Sequence, residues 1–329
     1  MTTSDQPAGA PSVRLLPVDS VEITVVMDLF LDILMAGQQD VRRFPLEYDW
    51  SDRDNLVAEH GFSVLITVER NGKRDSILYD AGLSADALTR NIDVLQVKTG
   101  DLRAIAISHG HVDHHGGLAG LFARHSRMAM PFVIHPDAWK ERKIAFPTGS
   151  EIRMPPPSLN DIEREGLTVV EDRGPTLLID DVVLVSGQVE RTTEFENGLP
   201  PHLARTGDGS WVPDPMIWDD QNIVVHVRGR GLVVVSACSH AGAVNVLRNA
   251  RRLTGENRIA AFLGGFHLTG GIFEPIIPIT VREIAAMDVG MLIPCHCTGW
   301  RAVHELARSL PDAFVQPSVG TTFSFRAAE

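Results

Sequence analysis

An α/β fold is predicted, and three observations predict it. Short apolar, β-branched runs alternate with stretches in which apolar residues recur at helical spacing. Several of the runs end on a polar, histidine-bearing corner. Hydrophobic residues make up 44% and charged residues 22% of the 329 positions, the proportions of an ordinary globular chain rather than a disordered, fibrous or coiled-coil one. At about 150 residues per domain the length allows two domains or one large unit. The reading adopted is a flexible lead-in over 1–20 and a single domain over 21–329, with an insertion or lid at about 136–222.

In chain order, residues 21–26 (VEITVV) and 62–68 (FSVLITV) read as strands. An Asn71-Gly72 turn follows the second and leads into 76–79, so these three pieces are expected to share a sheet. Residues 102–108 (LRAIAIS) form a buried strand running into His109, a helix is expected over 117–125, and 131–135 returns to strand. Residues 136–222 are punctuated by Pro155-Pro156-Pro157, Pro200-Pro201, Pro213 and Pro215, with short strands at 177–179 and 182–185. A hairpin over 223–227 and 232–236 turns at Arg228-Gly229-Arg230-Gly231; a helix at 243–253, a strand at 259–263, a helix at 280–287 and a strand at 291–293 follow.

The formal charge of −12 repels phosphate backbones, so no nucleic-acid partner is expected. Cys238, Cys295 and Cys297 are too few for a disulfide framework. No apolar stretch reaches the 18 residues or so of a membrane span and no secretory signal is read, so a cytoplasmic protein without a membrane partner is expected.

The most informative segment is Ser108-His109-Gly110-His111-Val112-Asp113-His114-His115-Gly116-Gly117. Alternate residues at the mouth of a strand point the same way, so His109 and His111 can present nitrogens to one metal while Asp113 and His114 face a second position. A surface histidine cluster is the alternative. Gly116 and Gly117 let the backbone turn closely beneath the site. His240, His267 and His296 each follow a strand in a matching corner, the position at which α/β proteins collect functional side chains. His60, His125, His135, His202, His226 and His304 lack such placement and are read as ordinary histidines. Asp80 is read as an acceptor that orients a ligand. In Cys295-His296-Cys297, neighbours point in opposite directions, so at most one side faces a site.

The pattern His109-x-His111-x-Asp113-His114 resembles the signature of the metallo-β-lactamase fold superfamily. Glu59-His60-Gly61-Phe62-Ser63, Leu78-Tyr79-Asp80-Ala81-Gly82, Cys238-Ser239-His240-Ala241-Gly242, Gly264-Gly265-Phe266-His267-Leu268 and Cys295-His296-Cys297-Thr298-Gly299 resemble its branch that includes dihydropterin ribofuranosylaminobenzene phosphate synthases. The length and long central insertion are also similar to those of hydrolytic dehalogenases of chlorinated aromatic nitriles. The resemblance spans about 21–325 and implies an αββα sandwich of two mixed sheets flanked by helices, one or two zinc ions with iron or manganese as alternatives, and a homodimer. Members supply a third histidine before a strand hairpin, a bridging Asp after it and a final histidine later. On one alignment Asp220-Gln221-Asn222 stands at the third histidine, His240 at the bridging Asp and His296 at the last ligand, with Asn222 a donor. On the other, His240 is the third histidine and His267 the bridging ligand.

The expected function is a metal-dependent hydrolase of a small organic molecule, water being activated by the ion and Asp113 and His114 being the catalytic pair. Phe195, Trp211 and Trp218 are expected to line an apolar mouth suited to an aromatic substrate, hydrolytic dehalogenation being one specific case. The alternatives are lactone or phosphoester hydrolysis, a synthase of a phosphorylated pterin precursor using Arg191, Arg205 or Arg301, and a metal-binding sensor or signalling protein.

Overall fold

The structure, a computed structural model, describes residues 13–45, 55–124 and 128–328. Eight strands form one mixed sheet in the order Val41–Arg42, Thr322–Arg326, Ser20–Met27, Ser63–Arg70, Lys73–Tyr79, Leu102–Ala106, Pro131–Ile134, Thr168–Glu171. Six form a second: Thr176–Leu178, Val183–Val185, Ile223–Val227, Gly231–Ser236, Ile259–Gly265, Met291–Cys295. The period-2 alternation of side chains builds the layers. In Gly231–Ser236, Val233 and Val235 face the other sheet, whereas Leu232 and Val234 face outward. Val64 and Ile66 likewise point to the inter-sheet core shared with Val225, Leu263 and Ile293.

Helices close both outer faces. Ala243–Thr254, Ile277–Ala286 and Trp300–Ser309 cover the six-stranded sheet through Val244, Leu247, Val281, Ile284, Ala302 and Leu306. Ala85–Val94, Leu118–Arg124 and Leu159–Arg164 cover the eight-stranded sheet through Leu88, Ile92, Leu121, Phe122 and Ile162. The result is the αββα sandwich. Strands 21–26, 62–68 and 76–79 do lie side by side, and the Asn71-Gly72 turn has φ of 52° and 77°, the left-handed pair of a tight hairpin. The helix Ala243–Thr254 ends on Gly255 at φ 72°.

Two expectations need correction. Residues 13–20 are not a loose lead-in, because Val18 is fully buried and bridges to Val227, and the Leu16 N–H donates to the Asp181 carbonyl. Residues 136–222 are not one insertion: Thr168–Glu171 completes the eight-stranded sheet, and Thr176–Leu178 and Val183–Val185 start the six-stranded one. The added part is a four-stranded sheet ordered Trp211–Pro213, His202–Arg205, Arg142–Ala145, Glu151–Met154. Proline spacing marks loops but does not show which short strands between them reach a distant edge.

Candidate metal centre

In each sheet the neighbouring strands whose carboxyl ends meet at the site run parallel, and the expected histidines and Asp113 follow those ends, whereas Asn222 precedes the antiparallel strand Ile223–Val227. Four corner residues with side chains adopt the left-handed conformation: Asp80 (φ 60°), Ser239 (53°), His267 (47°) and His296 (44°). Non-glycine residues in that region cluster at functional positions, where the surrounding fold holds them against their preference.

Asp80 organises the first histidines. Its Oδ2 accepts from the Ser108 hydroxyl (2.7 Å) and from His114 Nδ1 (2.7 Å), and its Oδ1 from the Ser108 N–H. Ser108 Oγ, its proton committed to Asp80, accepts from His109 Nδ1 at 2.8 Å. A neutral imidazole has one N–H, so Nε2 of both His109 and His114 carries a free lone pair. His109 Nε2 lies 3.0 Å from His111 Nδ1 and 3.1 Å from His240 Nε2. Roughly 3.3 Å separates the nitrogens of a tetrahedral zinc site with 2.0–2.1 Å bonds. Burial, followed by repulsion from neighbouring histidines and Arg142, holds His109 and His111 well below the ordinary histidine pKa; burial and its histidine neighbours do the same to His240. Three uncharged rings aimed at one point therefore fit a cation, with His240 beside His109 and His111, although His267 does not take the bridging place that the second alignment gives it.

A second group adjoins the first. Asp113 Oδ2 lies 3.5 Å from His114 Nε2, 3.4 Å from His296 Nε2 and 3.7 Å from His60 Nε2. Burial would raise the Asp113 pKa, but His114 and His296 outweigh it and hold the carboxyl far below its usual range. Burial lowers and Asp113 raises the His296 pKa, with the net result about 9. Both His296 ring nitrogens are buried without a hydrogen bond. Cys238 Sγ lies 3.3 Å from His114 Nε2 and 3.4 Å from Cys297 Sγ, while Cys295 turns away to the Ile293 carbonyl. The neighbours His296 and Cys297 thus both face the site, against the alternation expected of Cys-His-Cys, because the chain is not extended there: His296 has φ 44° and opens a 3-10 turn over His296–Thr298. His267 lies tilted beside His240 with ring centroids 4.2 Å apart and groups with Cys238 and His240 rather than bridging the two sets.

Asn222 has both side-chain polar atoms buried without a partner. Gly110 is required: a Cβ there would stand 2.3 Å from the Ala138 carbonyl oxygen. Gly116 and Gly117 pass equally close to the carbonyls of Leu83 and Ala81.

Two histidines read as ordinary belong here. His202 Nε2 lies 3.0 Å from His111 Nε2, and the exposed His60 faces Asp113. His202 arrives on a strand of the four-stranded sheet, so no local spacing announces it; His60 lies in a segment that the family resemblance had singled out. His135, His226 and His304 are local: His135 caps the turn at Asp137, His226 pairs with Glu256, and His304 bonds the Trp300 carbonyl. His125 lies outside the described residues.

A cavity of about 200 Å³ opens beside His240 and His267, lined by Phe195, Phe266, Phe273 and Ile276. Phe195, one of the three aromatics expected at an apolar mouth, is among its lining residues. Trp218 instead stacks on Arg191, whose guanidinium bonds the carbonyls of His240 and Met216. Trp211 lies under Lys143 on an edge strand and does not line the cavity. Arg205 and Arg301 are paired with Glu141 and Glu274.

Residues 57–254 match the family described as the metallo-beta-lactamase superfamily. The chain is 30% identical over 302 residues to the 7,8-dihydropterin-6-methyl-4-(beta-D-ribofuranosyl)-aminobenzene-5'-phosphate synthase of Methanocaldococcus jannaschii, covering 89% of this chain and 100% of that one. A solved structure, Tm1679, described as a metal-dependent hydrolase of the beta-lactamase superfamily, superposes with a TM-score of 0.70 at 24% identity, covering 94% of this chain and all of its own. No helix among the described residues is long and apolar enough to cross a membrane.

Proposed function

This chain belongs to the metallo-beta-lactamase superfamily, and from that premise we propose that it is a metal-dependent hydrolase of a small organic molecule with an apolar, planar body. The observation that carries the reading is the convergence of His109 Nε2, His111 Nδ1 and His240 Nε2 beside the group of Asp113, His114 and His296. These are the residues that would hold one or two ions, with Asn222 Oδ1 a further buried donor. An imidazole-rich set with thiols close by suits zinc or iron better than manganese. A zinc-type ion held there supplies Lewis acidity and makes water a nucleophile at neutral pH.

The chain's own groups do the rest. Asp80, through Ser108 and directly, keeps the Nε2 lone pairs of His109 and His114 unprotonated. Asp113, whose Oδ2 faces His114 Nε2 and His296 Nε2, is assigned as a metal donor and orienting acceptor. Phe195, Phe266 and Phe273 exclude water and favour a flat apolar body next to His240.

One observation favours a second reading, a synthase acting on a pterin-linked aromatic phosphate: the 30% identity extends over the whole of the Methanocaldococcus jannaschii enzyme. Of the arginines expected to receive its phosphate, Arg191 is committed to Trp218 and to main-chain carbonyls, whereas Arg205 and Arg301 form exposed ion pairs with Glu141 and Glu274. Dehalogenation draws no support from the relatives named above.

Metal content per chain, together with turnover of ester, lactone, phosphodiester and chloroaromatic panels, tests the proposal. Hydrolysis that falls more than about 100-fold in both Asp113→Ala and His114→Ala, with loss of metal, is the expected outcome. Full activity in metal-stripped protein would sink it.

A further inference from the structure

We propose that His202, carried in by the four-stranded sheet, is a positioning residue of the metal centre: it accepts the Nε2 proton of His111 and so turns the Nδ1 lone pair of His111 toward His109 and His240. The inference rests on the metal-centre reading above and deepens it.

Proton accounting along one chain of contacts carries the argument. The Asp214 main-chain carbonyl has only lone pairs to offer, so His202 Nδ1, 2.8 Å away, must donate to it. Neutral imidazole has a single N–H, which leaves His202 Nε2 as an acceptor. Facing it at 3.0 Å is His111 Nε2. The other tautomer of His111 would set two lone pairs against each other there, so His111 carries its proton on Nε2 and none on Nδ1. That bare Nδ1 is the atom 3.0 Å from His109 Nε2. A backbone carbonyl two rings away thus selects the metal-facing nitrogen. Both rings are buried.

His202 is itself held in place. Its strand pairs with Arg142–Ala145, His202 lying opposite Ile144. The fully buried Arg142 makes a two-pronged ion pair with Asp219 and reaches Asp214 at 3.3 Å. Asp219 Oδ2 in turn accepts the Gly110 N–H at 2.8 Å, between the two motif histidines. The added sheet therefore grips the motif at Gly110 and at His111, and is built into the centre rather than hinged over it as a lid.

The test is zinc affinity of the purified full-length protein, measured by competition with a chromophoric chelator. His202→Leu removes the acceptor at similar bulk, whereas His202→Gln retains an oxygen able to reach His111 Nε2. The expected result is a 10- to 100-fold loss of affinity in the Leu variant and less than about threefold in the Gln variant, with a changed cobalt(II) visible spectrum only in the former. Should the Leu variant not fold, His202→Asn, too short to reach His111, replaces it with the same expectation. Wild-type affinity in the acceptor-less variant, or equal loss in the Gln variant, overturns the proposal and leaves His202 a packing residue. If wild type and His109→Ala bind zinc equally, the metal-centre reading fails and this proposal falls with it.

Discussion

Asp80 shows how much one residue can decide. Three donors, Ser108 N–H, Ser108 O–H and His114 Nδ1–H, converge on its two oxygens inside a fully buried corner. In Asp80→Asn the amide N–H₂ must face one of those donors: at the Oδ1 position it meets the Ser108 N–H, and at the Oδ2 position it meets Ser108 O–H and His114 Nδ1–H and frees a histidine to rotate or change tautomer. Zinc affinity is expected to fall about 10- to 100-fold, as partners behind metal-binding histidines typically cost; chelator competition reads it, and an unchanged affinity would show that packing alone orients the rings. Asp80 and the motif histidines were legible in sequence because their spacing falls within single corners of the chain. His60 and His202 were assigned no role at the site because they reach it from other elements. Trp211 shows the opposite error: an aromatic in a proline-rich stretch suggests a pocket wall, yet the strand it joins turns it toward Lys143.

At the scale of elements, two buried carboxylates anchor neighbouring pieces. Glu196 accepts from the Val244 and Asn245 N–H groups and from Thr193, capping the helix Ala243–Thr254 from a separate loop. Glu196→Ala is expected to destabilise the fold by about 1–2 kcal/mol, as loss of a helix cap does, read as a lower thermal midpoint. Asp219 anchors the four-stranded sheet. Burial would raise its pKa, but the Arg142 charge more than offsets this and lowers it. An acid depressed in the folded state lends stability above its unfolded pKa and loses it as pH falls through the folded value. Wild-type stability should thus drop below about pH 4. In Arg142→Met the carboxylate is buried without its partner, at a cost of about 3–5 kcal/mol. Its pKa then rises, and stability declines as pH climbs above about 4. Urea midpoints from pH 3 to 7 should therefore slope in opposite directions in the two proteins; parallel slopes would show that the pair does not control the sheet.

For the whole molecule, the donors come from both sheets: His109, His111, Asp113 and His114 follow Leu102–Ala106 of one, and His240 and His296 follow strands of the other. An ion held by these residues would cross-link the two halves of the sandwich. Zinc at about 100 times its Kd should add about 2.7 kcal/mol of stability. Thermal unfolding followed across a zinc and chelator series is expected to show a midpoint that climbs with free metal. A midpoint independent of metal would mean that the ion joins nothing.

The sequence alone determined what short windows can carry. Periodicity located the hairpin at Asn71-Gly72, the helix after Gly242 and most core strands, and the spacing around His109 announced a metal, because these features depend on residues a few positions apart. Some regular elements passed unread, such as the helix Ala85–Val94 with its buried Leu88 and Ile92, although their periodicity was available. Only the tertiary structure decided that His240 lies beside His109 and His111, that residues 136–222 supply edges to two sheets as well as a sheet of their own, and that His202 meets His111. The physical reason is that strand pairing and side-chain contacts join residues far apart in the chain, Ser20 with Arg326 across the sheet and His109 with His240 at the site, and such contacts leave no periodic trace in the chain between them.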